Sequence, residues 1–533
     1  MTKQAETGII IKSVPDVLAF VILIPYKREM FIYLLLQAAL IIKRMVQNMR
    51  YTARFTAMAM ALAFVFSAAA CSSEKVSSVT NTSVSETSAP ATEEETTEEA
   101  VPAMAAANDI VKGNFYDANG KLLVSSEVQD DGSVKRVYEK DYAIPFANII
   151  TEMSAGYDTA FNDVLMEANP SGSSFASPAG KSIQLTLDAD VQKAIYEYMD
   201  EKNIKGSCVV LRSDGSILSQ VSYPSYDPTT VKDQKYDEDL AWGDVGNKAF
   251  QNYEPGSCFK IMSEVIADKH GIYEQWDEGE WDFGGTPIVN WDHETNKNSY
   301  PMSRSLYWAF VSSSNIFFAK TFDQIGVDGV LDDLETMFHF GAECDIPCDF
   351  GDIENNVEVY CDDDLRRTAF GQSYVLTCPI YLAALGREAV FGDMVRPFVF
   401  KNIVDTNDGK TVIGEGSKSG DVIASIPEAY RQGLKDGMIG VASETGIYPP
   451  EGYTLYAKTG TAETWFDDDF LYITGALVNE KDAPKASYTD YSNYGDKGSY
   501  SIVLQVQNPS ELGYSFAIHA SALYGDIIDI LLK

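Results

Sequence analysis

Three short groups of residues have the types and spacing to do chemistry together: Ser257-Cys258-Phe259-Lys260, Ser313-Ser314-Asn315 and Lys458-Thr459-Gly460-Thr461. A serine hydroxyl is a weak nucleophile and needs a base beside it. The 4 histidines (His270, His293, His339, His519) are scattered, with no histidine triad or HExxH pattern among them. A lysine can take the role of base if burial lowers its pKa from about 10.4 towards neutrality. Ser257 and Lys260 have the spacing that puts two side chains on one helix face, a turn apart. Alone, the pair reads as well as a capping serine and a surface lysine, and Ser72 and Lys75 share the spacing by chance. The second group reads alone as a helix boundary. In company, Ser313 could relay a proton between Lys260, a substrate nitrogen and Lys458, while Asn315 could hold a substrate amide. In the third group, Gly460 on a strand points to close approach of another backbone. A peptide could add along that edge, with Lys458 and Thr461 binding a carboxylate. The N–H groups of Ser257 and Thr461 could then form an oxyanion hole. Lys418-Ser419-Gly420 has a similar shape but sits in a Gly/Ser-rich loop without strand character, and is rejected.

Elements must hold these groups. Glu254-Pro255-Gly256 breaks the chain before Ser257, and the spacing of Phe259, Met262 and Ile266 predicts a helix over 257–268. Apolar runs at 306–311 and 316–319 flank the second group, and Leu455-Tyr456-Ala457 gives strand character to the third. A hairpin is predicted over 114–123 around Asn119-Gly120, and another pairs 208–212 with 216–221. Further strands are predicted at 182–187, 453–478 and 499–508. Helices are predicted at 188–203, from Val191, Ala194, Ile195 and Met199, and at 515–532. Residues 140–178 are mixed and polar, without a strong helix. Strands at both ends with helices between them imply a mixed α/β (α+β) fold, a sheet packed by helices.

The chain has 533 residues, enough for two or three units, and 45% of them are hydrophobic, enough for a sizeable core. A net charge of −37 excludes binding of nucleic acid through a basic face. The acidic runs at 93–95, 98–99, 362–364 and 467–469 read as solvated rather than calcium-binding. None of the 7 cysteines has zinc-ligand spacing, and Cys344 and Cys348 could be bridged or free. Arg50 and Arg54, the apolar run at 55–70 and the small residues before Cys71 form a targeting segment at 49–71. It reads as a signal peptide with a lipobox, Cys71 being the lipid attachment site, or as an uncleaved membrane anchor. Ala68 stands where a lipobox usually has leucine. Either way the remainder is delivered outside the cytoplasm. Residues 1–48 read as an upstream extension, and 72–105, rich in Ser, Thr and Glu, as a disordered linker.

S-x-x-K, S-x-N and K-T-G in this order are the signature of penicillin-binding proteins and serine β-lactamases. The run Tyr253-Glu254-Pro255-Gly256-Ser257-Cys258-Phe259-Lys260 resembles the nucleophile block of class B penicillin-binding proteins, as does Ser-Tyr-Pro-Ser-Tyr-Asp-Pro at 222–228 upstream. Residues 112–120 are similar to the N-terminal element of that class, with Lys112 and Ala118 where it has arginines. Gly371-Gln372-Ser373 resembles its Gly-Gln-Gly turn, Ser373 replacing a glycine. The resemblance spans 110–533. It implies the penicillin-binding transpeptidase fold over 179–533: an antiparallel five-stranded sheet flanked by helices, plus an all-helical subdomain. A small β-rich module over 106–178 precedes it. The implied activity is that of a peptidoglycan D,D-transpeptidase. Ser257 would attack a stem peptide's penultimate D-alanine carbonyl with Lys260 as base, and Ser313 and Asn315 would shape the site and pass the proton. Lys458, Thr459, Gly460 and Thr461 would bind the donor carboxylate that β-lactams imitate. No metal and no cofactor is implied. The implied partners are stem peptides, β-lactams, the membrane through lipid or helix, and other wall-synthesis proteins, at the extracytoplasmic face of a bacterial cell membrane. Cys258 is expected to be buried packing. The alternatives are a D,D-carboxypeptidase or β-lactamase on the same scaffold, and a non-catalytic β-lactam sensor or wall-synthesis scaffold. The module is short for a division or elongation enzyme, so the choice among division, elongation and sporulation stays open.

Overall fold

The computed structural model describes residues 110–151, 156–172, 178–230, 246–341, 344–417, 421–464, 468–481 and 498–533. The expectations for 1–48, 49–71 with Cys71, 72–105 and Lys418-Ser419-Gly420 lie outside them. All described residues fall within one unit, Ala100–Lys533.

Five strands form the sheet that carries the site, in the spatial order Tyr453–Ala462, Phe470–Asn479, Tyr500–Val506, Gly206–Arg212 and Ile217–Tyr223. Every neighbouring pair is antiparallel. Successive side chains of a strand point to opposite faces, and both faces here are covered. Val209, Leu211, Tyr472 and Val503 join a core with the helix Pro379–Phe391. Cys208, Val210, Leu471 and Ile473 join a second core with the helices Ala189–Glu201 and Ser521–Leu532. That is why the inner strands read as almost unbroken apolar runs. Pro379–Phe391 lies between layers and is buried nearly all round, as a helix without a polar face must be. Asp188 caps Ala189–Glu201, accepting from the N–H groups of Asp190 and Val191 at 3.0 and 3.1 Å, a cap worth about 1 kcal/mol.

The second sheet has six strands, in the order Val412–Glu415, Phe400–Val404, Ser182–Leu185, Phe115–Tyr116, Leu122–Val128 and Val134–Tyr138. The expected turn at Asn119-Gly120 is present, and Asp117 fixes it by accepting from the N–H groups of Asn119 and Lys121 at 2.8 and 2.7 Å. This sheet runs across the position 178/179, drawing strands from 182–185 and from 400–415. Residues 140–178 contribute single-turn helices such as Ala143–Phe146 and Tyr157–Ala160. Asp158, on the second of these, is buried and takes ion pairs from Arg136 at 2.7 Å and Lys112 at 2.9 Å.

The helical side, expected to be all helix, holds Lys260–Lys269, Leu306–Val311, Asn315–Ile325, Val327–Phe338 and Glu428–Thr445. Two-stranded ribbons are threaded between them, among them Glu274–Asp277 with Met302–Ser305 and Glu280–Trp281 with Ile288–Val289. These ribbons are short, and Val289 at the end of one of them lines the same cleft as Ser257. Cys344 and Cys348 are unbridged, as are the other described cysteines.

Candidate active site

Ser257 lies in a 3₁₀ turn, Gly256–Phe259, that runs into the helix Lys260–Lys269. The expected helix start is therefore present, tightened in its first turn. This turn packs against the edge strand Tyr453–Ala462 through two glycines. Gly256 has φ +53°, and a Cβ on it would lie 2.3 Å from the carbonyl oxygen of Thr461. A Cβ on Gly460 would lie 2.8 Å from the backbone nitrogen of Cys258. The close approach expected at Gly460 exists, and the backbone that approaches is that of the turn carrying Ser257. Behind it, the Gly256 N–H donates to the carbonyl of Gly371 at 3.0 Å, so the Gly371-Gln372-Ser373 turn supports the serine.

The Lys260 side chain is fully buried. Its Nζ lies 2.8 Å from Ser257 Oγ, 2.8 Å from the Ser313 carbonyl oxygen, 3.1 Å from Ser313 Oγ and 2.7 Å from Asn315 Oδ1. Burial holds its pKa well below the usual lysine value, and the nearby Lys458 lowers it further. A neutral amine has one lone pair and two N–H groups. With the N–H groups spent on the Ser313 carbonyl and Asn315 Oδ1, the lone pair can accept the Ser257 hydroxyl proton. Lys458 donates to Ser313 Oγ at 3.1 Å and to the Thr459 carbonyl at 2.9 Å. Burial lowers its pKa to about 8. The Ser313 hydroxyl thus stands between two lysines whose charged form burial disfavours.

The three sequence groups therefore meet in one place. The edge strand carries Lys458, Thr459, Gly460 and Thr461, and Thr459, Gly460 and Thr461 line a cleft of about 380 Å³ with Ser257, Ser313 and Asn315. Trp291, Phe370 and Phe516 form much of its apolar wall, Trp291 packing on Phe516 at 5.5 Å between ring centres. Thr461 Oγ1 accepts from the Ala517 N–H at 3.3 Å, tying the 516–518 segment to the strand. Cys258 is fully buried and points at the Lys458 carbonyl, and burial pushes its thiol up to about 12, so it packs rather than reacts.

Sequence reasoning missed what holds Ser313-Ser314-Asn315. Asn290 Oδ1 accepts from the Asn315 N–H at 2.8 Å, and the Val289 carbonyl accepts from Asn315 Nδ2 at 2.9 Å. Trp291 Nε1 donates to the Ser312 carbonyl at 2.9 Å. Val289, Asn290 and Trp291 lie on or just after a two-residue strand, too short for any periodic signal.

Residues 206–528 match the penicillin binding protein transpeptidase domain. The chain is 28% identical to peptidoglycan D,D-transpeptidase PbpA of Mycobacterium tuberculosis over 317 residues, 54% of this chain and 61% of that protein. It is 23% identical to peptidoglycan D,D-transpeptidase MrdA of Haemophilus influenzae over 421 residues, 68% of this chain and 61% of that protein. It thus spans about three fifths of the length of these curated relatives. Among solved structures, penicillin-binding protein A of M. tuberculosis in its imipenem acyl-enzyme complex superposes with a TM-score of 0.63 at 19% identity. That match covers 80% of this chain and 100% of the other.

Proposed function

The chain belongs to the penicillin-binding protein transpeptidase family, and from that premise we propose that it is a peptidoglycan D,D-transpeptidase working through an acyl-enzyme on Ser257. One observation carries the reading: the 2.8 Å contact between Ser257 Oγ and Lys260 Nζ, an amine whose burial keeps it neutral enough to accept a proton. The relatives named D,D-transpeptidases and the acyl-enzyme form of the M. tuberculosis structure support it.

Lys260 takes the Ser257 proton as Oγ attacks the penultimate D-alanine carbonyl of a stem peptide. The N–H groups of Ser257 and Thr461 stabilise the resulting oxyanion. As the intermediate collapses, the amide bond breaks. The proton returns through Lys260 or the Ser313 hydroxyl to the leaving nitrogen, and terminal D-alanine departs. The amine of a second stem peptide then attacks the ester, gives its proton back along the same route and releases Ser257 with the cross-link formed. Thr459, Thr461 and the Lys458 charge hold the donor's terminal carboxylate, and a β-lactam occupies the same place. Peptidoglycan lies outside the cytoplasmic membrane, the side to which residues 49–71 would deliver the folded part.

The test is covalent labelling of the full chain by a fluorescent penicillin on a denaturing gel. Wild type should carry the label and Ser257→Ala should not. A label that persists for hours fits a transpeptidase, whereas loss within seconds with hydrolysed drug accumulating would convert the reading to a β-lactamase. A folded wild type without any label would sink it.

A further inference from the structure

We propose that the buried pair Asp277–Arg304 is a positioning device for the Ser257 reaction, holding the 312–315 loop so that Ser313 presents both its oxygens to Lys260. The proposal rests on the transpeptidase reading above.

Ser313 follows the helix Leu306–Val311 and has φ +58°. Helices often end in one left-handed residue, and glycine is the usual choice because it has no Cβ to clash. Here the residue carries a hydroxyl that meets Lys260 at 3.1 Å and Lys458 at 3.1 Å. Glycine cannot supply it, so the conformation has to be held from outside the residue.

The groups that hold it converge on Asp277. This carboxylate is fully buried at the end of the strand Glu274–Asp277. Its Oδ2 accepts from Ser314 Oγ at 2.7 Å and from Arg304 Nε at 2.7 Å. Asn290 Nδ2 donates to its two oxygens at 2.8 and 3.0 Å, and the Gly279 N–H donates at 2.9 Å. Arg304 in turn donates from Nη1 to Ser312 Oγ at 2.7 Å. Asn290, oriented by Asp277, accepts from the Asn315 N–H at 2.8 Å. The residues on both sides of Ser313 are therefore tied, directly or through one partner, to a single carboxylate. Among the described residues, the hydrogen-bond partners of Asp277 and Arg304, apart from each other, are Gly279, Asn290, Tyr300, Ser312 and Ser314, and not Ser257, Lys260 or Lys458. They act through the loop. Charge-assisted bonds of this kind are short and directional, and a donor–acceptor constellation that must hold to a fraction of an ångström needs such a support.

A buried pair could also serve stability alone, so the test compares it with another buried pair in the same chain. Full-length wild type, Asp277→Asn, Arg304→Met, Arg304→Lys and the control Arg136→Met are mixed rapidly with a chromogenic cephalosporin, each well below its melting temperature. The saturating acylation rate and the half-saturating concentration are both read. Asp277→Asn and Arg304→Met should lower the saturating rate by roughly 10²-fold, with half-saturation moved less than about threefold. Arg304→Lys, which keeps the charge and a donor, should recover part of the loss. Arg136→Met should change neither constant. Acylation of folded Asp277→Asn or Arg304→Met within about threefold of wild type overturns the proposal, as does an equal loss in the Arg136→Met control. Absence of acylation in wild type itself overturns the transpeptidase reading, and this proposal with it.

Discussion

The two sheets treat buried charge in opposite ways. Against the six-stranded sheet, Asp158 is matched by Arg136 at 2.7 Å and Lys112 at 2.9 Å, so cations and carboxylate are desolvated together. On and beside the five-stranded sheet, Lys458 and Lys260 are both fully buried, and among the described residues no carboxylate lies within ion-pair distance of either. Unpaired burial disfavours the ammonium form, which is the property a base requires. The matched carboxylate organises backbone, and the unmatched amines are kept ready to exchange protons. Asp277 and Arg304 fall in the first class although they lie next to the second. The Asp277 charge lies near enough to raise the Lys260 pKa, but the desolvation of Lys260 outweighs it.

The contrast can be broken experimentally, most forcefully at Lys260. Lys260→Met should slow acylation by about 10²–10⁴-fold, while its melting temperature stays at or above that of wild type, because the removed amine is one the core penalises. A clear drop in melting temperature with acylation intact would reverse the assignment of roles. Next in size is Asp158→Asn. It leaves the buried Arg136 without its counter-ion and should cost about 3 kcal/mol in denaturant unfolding. Acylation by the folded fraction should not change, and a loss there would show that the six-stranded sheet reaches into the chemistry.

The smallest effect is read through pH. Lys458 has a folded pKa of about 8 against 10.5 when free. Between those values the unfolded chain binds more protons than the folded one, so stability rises with pH across that window. Unfolding of wild type and Lys458→Met should be compared at points from pH 8 to 10.5. Wild type should gain on the variant by on the order of 1–3 kcal/mol over the window. Parallel curves would mean that Lys458 stays charged in the folded protein.

The parts of the site that could be read in the sequence are those whose chemistry is local. Ser257 and Lys260 sit one turn apart after a Pro-Gly break, so their contact and the helix start were both visible in eight residues. Lys458 to Thr461 lay on a strand announced by the residues before it. Ser313 was legible as a residue but not as a conformation, because nothing in Ser-Ser-Asn announces φ +58°. The brace around it was hidden for a different reason. Asp277, Asn290 and Arg304 lie on or beside short strands, where a period of two cannot be established. The six-stranded sheet was concealed by distance along the chain: Ser182–Leu185 pairs with both Phe115–Tyr116 and Phe400–Val404, and a strand does not declare its remote neighbour.

The seam between Gly256 and Gly460 limits what sequence change can do to this protein. No residue is smaller than glycine, so any substitution at Gly256 drives an atom into the Thr461 carbonyl, and any at Gly460 drives one into the Cys258 backbone. Either would part Ser257 from the strand that carries Lys458, Thr459 and Thr461. The walls, at positions such as Val289, Trp291, Phe370 and Phe516, carry no such constraint and leave room for variants with an altered cleft. Selection can reshape the mouth of this cleft while its floor stays closed to mutation.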